Sequence, residues 1–325
     1  MKFRTAIELP PFGSKIGYES RILTIGSCFA SEMGSRMERA KLMVNVNPLG
    51  VLFNPISIAQ TLERIASKRF VSKEELTERE GIFSHYDFHG SLSANSAEEC
   101  VKKINSAIEA THQNLMESDW VIITLGTAWV YELKDGGHIV GNCHKMPHAT
   151  FSRRRLEVEE ITTAINTLIS ESLSEKNIII TLSPIRHIAD GLAENSLSKA
   201  TLRVAIDQII KSQPNCHYFP SYEILMDDLR DYRFYGEDMV HPTSQAVEYI
   251  WELFRDSALS PKAKERLKRV EKIVQAAEHR PINSSSEGYR EMCERQIKLI
   301  DELPEVEFGK ERAYFLSQSG ISDEI

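Results

Sequence analysis

Short apolar runs alternate with amphipathic stretches along most of this chain. Residues 21–26 (RILTIG), 120–127 (WVIITLGT), 177–184 (NIIITLSP) and 215–223 (NCHYFPSYE) are rich in β-branched or aromatic residues and run into Gly, Pro or Ser. Continuous runs of this kind predict strands of a sheet covered on both faces. A fifth, weaker strand is expected over 42–48 (LMVNVNP). Between them lie helical patterns. CFASEMGSRMERAK follows the first strand, and Asn54-Pro55 reads as an N-cap and first-turn proline for ISIAQTLERIAS. AEECVKKINSAIEATHQNLM, RRRLEVEEITTAINTLISESL and NSLSKATLRVAIDQIIKS are amphipathic, and Thr243 opens SQAVEYIWELF. Strands alternating with helices imply an α/β fold with a parallel, doubly wound sheet.

One interruption follows the third strand. In AWVYELKDGGHIVGNCHK, Asp135-Gly136-Gly137 between apolar flanks signals a hairpin. It would leave the carboxyl end of the sheet and return Asn142, Cys143, His144 and Lys145 to that rim, where open α/β sheets bind ligands. From about residue 256 the texture changes to charged helices, PKAKERLKRVEKIVQAAEHR and EGYREMCERQIKLIDEL, separated by PINSSS. The expected division is an α/β domain over 1–255 and a helical C-terminal appendage over 256–325. The appendage would pack on the core or form an interface with a second copy of the chain.

Composition narrows the function classes. The chain has 325 residues, a net charge of -8 and 42% hydrophobic residues, enough for a large core. The acidic balance argues against a nucleic-acid partner, which needs clustered Lys and Arg. The one dense basic patch, Arg153-Arg154-Arg155, runs into LEVEE and reads as the solvated start of a helix. No run approaches the roughly 20 apolar residues of a membrane span. The N-terminal MKFRTAIELPPFGSK lacks the apolar region of a secretory signal. Five scattered cysteines, none in a CxxC pair, suit free thiols, so a cytoplasmic location is expected. Cys28, His89, Cys143 and His144 lack the closely spaced pairs of a zinc site, and no metal or other cofactor is expected.

Candidate chemistry gathers at strand ends. Gly26-Ser27-Cys28 puts two nucleophilic side chains on the turn into a helix, where backbone N–H groups favour an anion and lower a thiol's pKa. The same residues also suit a tight turn, a helix cap and a small core cysteine. Asp238 and His241, three apart before a helix, can place a carboxylate behind an imidazole that faces a nucleophile. Ser183 to His187 (SPIRH) brings Arg186 and His187 to a strand end, or reads equally as a solvent-exposed turn; His89 lies in SHYDFHG, which also reads as an ordered loop. Asp228-Leu-Arg-Asp-Tyr-Arg-Phe-Tyr235 alternates charge with aromatics and reads as a buried, salt-bridged loop supporting Asp238 and His241.

These stretches resemble the GSCFA domain family, whose motif stands here as Gly26-Ser27-Cys28-Phe29-Ala30. NPLGVLFNP, HYDFHG, TLGTAWVY, GNCHK, SPIRH, NSLSKA and DLRDYRFYGEDMVHP are similar to the family's pattern over about residues 5–255. The family resembles a branch of the SGNH, or GDSL-type, hydrolase superfamily. That likeness implies a flavodoxin-like three-layer sandwich with strand order 2-1-3-4-5. In register with the superfamily's Gly-Asp-Ser block, Cys28 takes the nucleophile's position, and Ser27 takes it only if the alignment slips by one residue. Gly50 is similar to the glycine whose N–H serves an oxyanion hole, and Asp238 and His241 match the closing Asp-x-x-His. The Gly-x-Asn-Asp block falls on Gly126 to Trp129, with Ala128 where an Asn donor is expected. Asn142 would then resupply that donor, with His144, Lys145 or Arg186 as further oxyanion groups. The resemblance implies an acyl-ester hydrolase or O-acyltransferase acting on a small acyl ester or glycan. The alternative is a non-catalytic protein that binds such a ligand on the same fold.

Overall fold

Five apolar runs form one parallel sheet in the computed structural model, which describes residues 4–9, 12–283 and 286–319. The chain opens with β1 (Arg21–Gly26), α1 (Cys28–Arg39), β2 (Met43–Val46) and α2 (Pro55–Ala66). A hairpin of β3 (Thr77–Arg79) and β4 (Ile82–Ser84) leads to α3 (Ala97–Glu117) and β5 (Trp120–Leu125). Next come β6 (Trp129–Leu133), β7 (Ile139–Val140), β8 (Phe151–Arg155), α4 (Val158–Ser172) and β9 (Asn177–Leu182). The α/β part closes with α5 (Leu192–Ser212), β10 (Cys216–Phe219), the single turn α6 (Ser221–Glu223) and α7 (Ser244–Ala258). Three more helices follow, α8 (Pro261–Glu278), α9 (Glu287–Asp301) and α10 (Gly309–Ser319).

The large sheet runs β2-β1-β5-β9-β10, every pair parallel. Numbered by the five predicted strands this is 2-1-3-4-5, the flavodoxin-like order. Side-chain alternation builds the three layers, because successive residues of a strand face opposite sides. Leu23, Ile25, Val121, Ile123, Ile178 and Ile180 join a core with residues of α2, α3, α4 and α5. Ile22, Trp120, Ile122 and Ile179 join the opposite core with residues of α1 and α7. Leu267, Val270 and Ile273 of α8, Cys293 of α9 and Phe315 of α10 belong to that same second core. No helix among the described residues is long and apolar enough to cross a membrane.

Two local readings are corrected. The predicted hairpin is the start of a three-stranded antiparallel sheet, β7-β6-β8. Arg153, Arg154 and Arg155 lie in its strand β8, not in a helix start; the helix begins at Val158. Alternation explains this: Arg154 pairs with Glu132 and Glu160, while Arg153 lies over the Trp129 and Tyr131 rings and pairs with Asp190. Arg153 and Arg154 therefore find partners in an extended chain, while the buried Nε of Arg155 has none. The 228–235 stretch also departs from a buried loop. Asp228 is buried and pairs with Arg4 at 2.9 Å, but Asp231, Tyr232 and Arg233 are exposed.

Candidate active site

The carboxyl edge of the parallel sheet gathers most of the predicted residues. β1 ends at Gly26, which adopts φ +143 because a Cβ there would stand 2.2 Å from Thr124 O of the neighbouring strand. The tight exit sets up α1. Ser27 is buried, and its Oγ accepts the Phe29 N–H at 3.3 Å as the helix N-cap. Cys28 is the first residue of the helix and is only partly buried. Burial pushes its thiol upward, its own backbone N–H opposes that, and Glu32 adds to it. The thiol is therefore protonated at neutral pH and needs a base.

The expected base, His241, lies on the loop before α7. Asp238 Oδ2 bonds His241 Nδ1 at 2.6 Å. Asp238 Oδ1 accepts the backbone N–H groups of Val240 (2.9 Å) and His241 (3.0 Å). These bonds, first those from His241 and then that from Val240, hold the Asp238 carboxyl down to about 2. It stays ionised, and it fixes the imidazole with Nε2 outward. His241 Nε2 has no hydrogen-bond partner among the described residues, and no hydrogen bond joins it to the Cys28 thiol. The loop is closed by the Tyr235–Pro242 bridge and by Gly236 N–H donating to His241 O at 2.8 Å. Val240 and Cys28 both pack against the second core of the sheet.

His187 and Arg186 reach the same edge from the end of β9. Arg186 N–H donates to Val240 O at 3.2 Å, and its guanidinium lies 4.0 Å from the Tyr235 ring centroid. His187 sits edge-on to Phe53 at 5.7 Å, with its buried Nε2 unpartnered. Burial, with the charges of Lys199 and His241 opposing a second cation, pushes His187 down to about 4. It is a neutral imidazole at pH 7.

Other expected donors are placed differently. Gly50 adopts φ +89, packs against His89 and donates its N–H to Asn47 O at 2.7 Å, so that N–H is engaged within its own turn. Ala128 is fully buried in the core, and its N–H donates to Ser198 Oγ at 2.8 Å. Asn142 accepts the His144 N–H at 2.8 Å and donates its own backbone N–H to Tyr86 O at 2.9 Å. His144 Nε2 bonds His85 O at 2.8 Å. The hydrogen bonds of these two residues run to the 85–88 segment rather than to the Gly26–Cys28 turn. The backbone after β7 passes through two left-handed residues, His144 (φ 47) and Lys145 (φ 57). Asn142, His144 and Lys145 line a cavity of about 470 Å³ with His89, which packs against Gly50.

Two residues were not singled out from the sequence. Asn47 Oδ1 accepts the Gly26 N–H at 2.9 Å, and its Nδ2 donates to Ser31 Oγ at 2.8 Å, tying the nucleophile turn to the end of β2. Its signal was Asn-Pro at a strand end, a turn signature. Lys199, fully buried on α5, donates to Gly126 O and Ser183 O, both at 2.7 Å. Desolvation draws it down to about 7. It bridges the ends of β5 and β9, and its signal was a lysine among the small residues of NSLSKA.

Comparison with known proteins places the chain in a family. A profile described as the GSCFA family matches residues 21–254, and one described as the GSCFA domain protein, C-terminal domain, matches residues 270–319. No curated protein matches the chain. A crystal structure of the psychrotrophic esterase EstA from Pseudoalteromonas sp., inhibited by monoethylphosphonate, aligns at 15% identity and a TM-score of 0.31. That alignment covers 74% of this chain and 96% of the other. An acetyl xylan esterase, Est2A, from the rumen bacterium Butyrivibrio proteoclasticus aligns at 11% identity and a TM-score of 0.36, over 74% of this chain and 65% of that one.

Proposed function

Since this chain belongs to the GSCFA family, we propose that it is an acyl-transfer enzyme that uses Cys28 as nucleophile, His241 as base and Asp238 as the group that orients the base. The observation that carries this reading is the 2.6 Å bond from Asp238 to His241 Nδ1, which leaves Nε2 unpartnered on the loop that shares an apolar core with Cys28.

The chemistry follows from the protonation states. His241 Nε2 removes the Cys28 thiol proton as sulfur attacks the ester carbonyl carbon. The Asp238 carboxylate stabilises the imidazolium so formed. Collapse of the tetrahedral intermediate expels the alcohol, which takes its proton back from His241 and leaves a thioester on Cys28. Water deprotonated by His241 then releases the acid; a sugar hydroxyl in its place gives O-acyl transfer. Hydrogen bonds between nucleophile and base commonly tighten only when substrate is bound. The Cys28 N–H, at the start of α1, is the first oxyanion donor. The Gly50 N–H becomes the second when the ligand replaces Asn47 O. An acyl group carried on a carbohydrate is the substrate class implied by the superfamily resemblance.

Hydrolysis of an aryl acetate tests this reading. Cys28→Ala and His241→Ala should each abolish it, Ser27→Ala should leave measurable turnover, and an acyl-thioester at Cys28 should be trapped by mass spectrometry after acid quench. Turnover that survives Cys28→Ala overturns the assignment of the nucleophile. The raised thiol pKa and the core position of Ala128 favour a second reading, ligand binding without turnover. Saturable binding of an acetylated oligosaccharide with no product release would establish it.

A further inference from the structure

Next to the loop that carries Asp238 and His241 lies a second open cavity, of about 440 Å³. One wall is the segment Ile224–Leu229, a π-helical turn wider than an α-helix, which closes on Arg230 in a left-handed conformation at φ 43. Such widened turns occur disproportionately at functional sites. The opposite wall is Arg186, whose guanidinium lies 4.0 Å from the Tyr235 ring centroid and 5.3 Å from that of Tyr232. Tyr232 is 62% exposed, an aromatic face turned to water. Among the described residues neither Arg186 nor Arg230 has a carboxylate within ion-pair distance. Asp227 and Asp231 complete the rim.

We propose that this cavity binds an acidic sugar residue, a uronate-type unit of an acylated polysaccharide. The inference rests on the acyl-transfer reading above and names its substrate class. Two guanidinium groups free of carboxylates suit one carboxylate ligand, since a guanidinium fork matches carboxylate geometry. The exposed Tyr232 ring suits the apolar face of a pyranose, an amphipathic role typical of tyrosine. Asp227 and Asp231, the latter paired with Arg233 at 2.9 Å, suit the hydroxyl donors of a sugar. The cavity shares its walls with the catalytic loop. Tyr235 bridges Pro242, and the Arg186 N–H holds Val240 O, so a sugar seated here lies beside His241.

The test uses the full chain carrying His241→Ala and reads binding, not turnover. Titration calorimetry would compare a galacturonic acid trimer, a xylose trimer of equal length, and ADP. The acidic trimer should bind at least about tenfold more tightly than the neutral one, and Arg230→Ala should weaken it by about tenfold, the loss expected when charged hydrogen bonds disappear. Tyr232→Ala should weaken it as well, and Tyr232→Phe should not, because the ring face is kept. Arg230 and Tyr232 are exposed, so their replacement leaves the core intact. Equal binding of acidic and neutral trimers, tighter binding of ADP, or indifference to Arg230→Ala overturns the proposal. Loss of the aryl-acetate result with acidic-sugar binding intact would overturn the acyl-transfer reading alone.

Discussion

Gly26→Ala is the most informative single substitution in the nucleophile turn. The added Cβ would lie 2.2 Å from Thr124 O and 2.9 Å from Thr124 C and Cα, inside the 3.0 Å that real Cβ atoms respect. The atoms in the way are backbone, so β1 and β5 must part by about 0.8 Å at their ends, the difference between those two distances. Three costs add. An L-residue held at this positive φ costs about 1–3 kcal/mol. The Ser27 N–H to Thr124 O bond, 3.2 Å here, breaks as the strands part, at about 1 kcal/mol. Forced repacking of the neighbours adds about 1–2 kcal/mol. The sum, roughly 3–6 kcal/mol, is a large share of an ordinary domain's stability. Urea denaturation followed by tryptophan fluorescence should show a midpoint lower by at least about 1 M. Gly90→Ala is the control, because its Cβ meets nothing within 4 Å; it should shift stability by no more than about 1 kcal/mol. A loss below about 1 kcal/mol for Gly26→Ala, with unchanged slope, would refute the claim that this glycine holds the strand ends together.

Three further outcomes are expected. Asp238→Asn should lower the aryl-acetate kcat by about 10³–10⁴-fold, because the amide no longer favours the required His241 tautomer or its cation, while circular dichroism stays unchanged. His187 titrates near 4 when folded and near 6.5 when unfolded. Its contribution to stability is thus complete above pH 6.5 and is lost as pH falls toward 4, worth about 3 kcal/mol; His187→Phe should remove that part of the acid dependence in urea titrations. Lys199 titrates near 7 when folded and near 10.4 when unfolded. The unfolded chain then holds the extra proton between those values, so stability should rise with pH across that window by up to about 4 kcal/mol relative to Lys199→Met.

Much of the fold was legible because the central strands β1, β5 and β9 are buried on both faces and so read as apolar runs, while the edge strand β2 is only partly buried and gave the weaker signal. The proposed site was drawn from local patterns: Asp238 and His241 share one loop, joined by a hydrogen bond, and Gly26 to Cys28 share one turn. Non-local features were not legible. The three arginines of β8 carry no apolar alternation, and Glu132, Glu160 and Asp190, which pair with Arg154 and Arg153, come from other segments. The β3–β4 hairpin is too short and too polar for a pattern to show. Asn142 was expected beside Cys28 because a hairpin from the sheet edge should return there; its hydrogen bonds run to His144 and Tyr86. Lys199 was hidden for the opposite reason, since a lysine on an amphipathic helix ordinarily marks the solvent face.

The two cores of the sheet become available at different moments of synthesis. Every member of the first core lies between Leu23 and Cys216, so that face can close once β10 has been made. The face that supports α1 and Cys28 draws on Val247 through Phe315 and must wait for them. The intervening stretch of about 100 residues, at roughly 5–20 residues per second, leaves that apolar surface uncovered for roughly 5–20 s on the ribosome. During synthesis the apolar surface is thus exposed longer on one side of the sheet than on the other, and the late side is the one against which Cys28 packs.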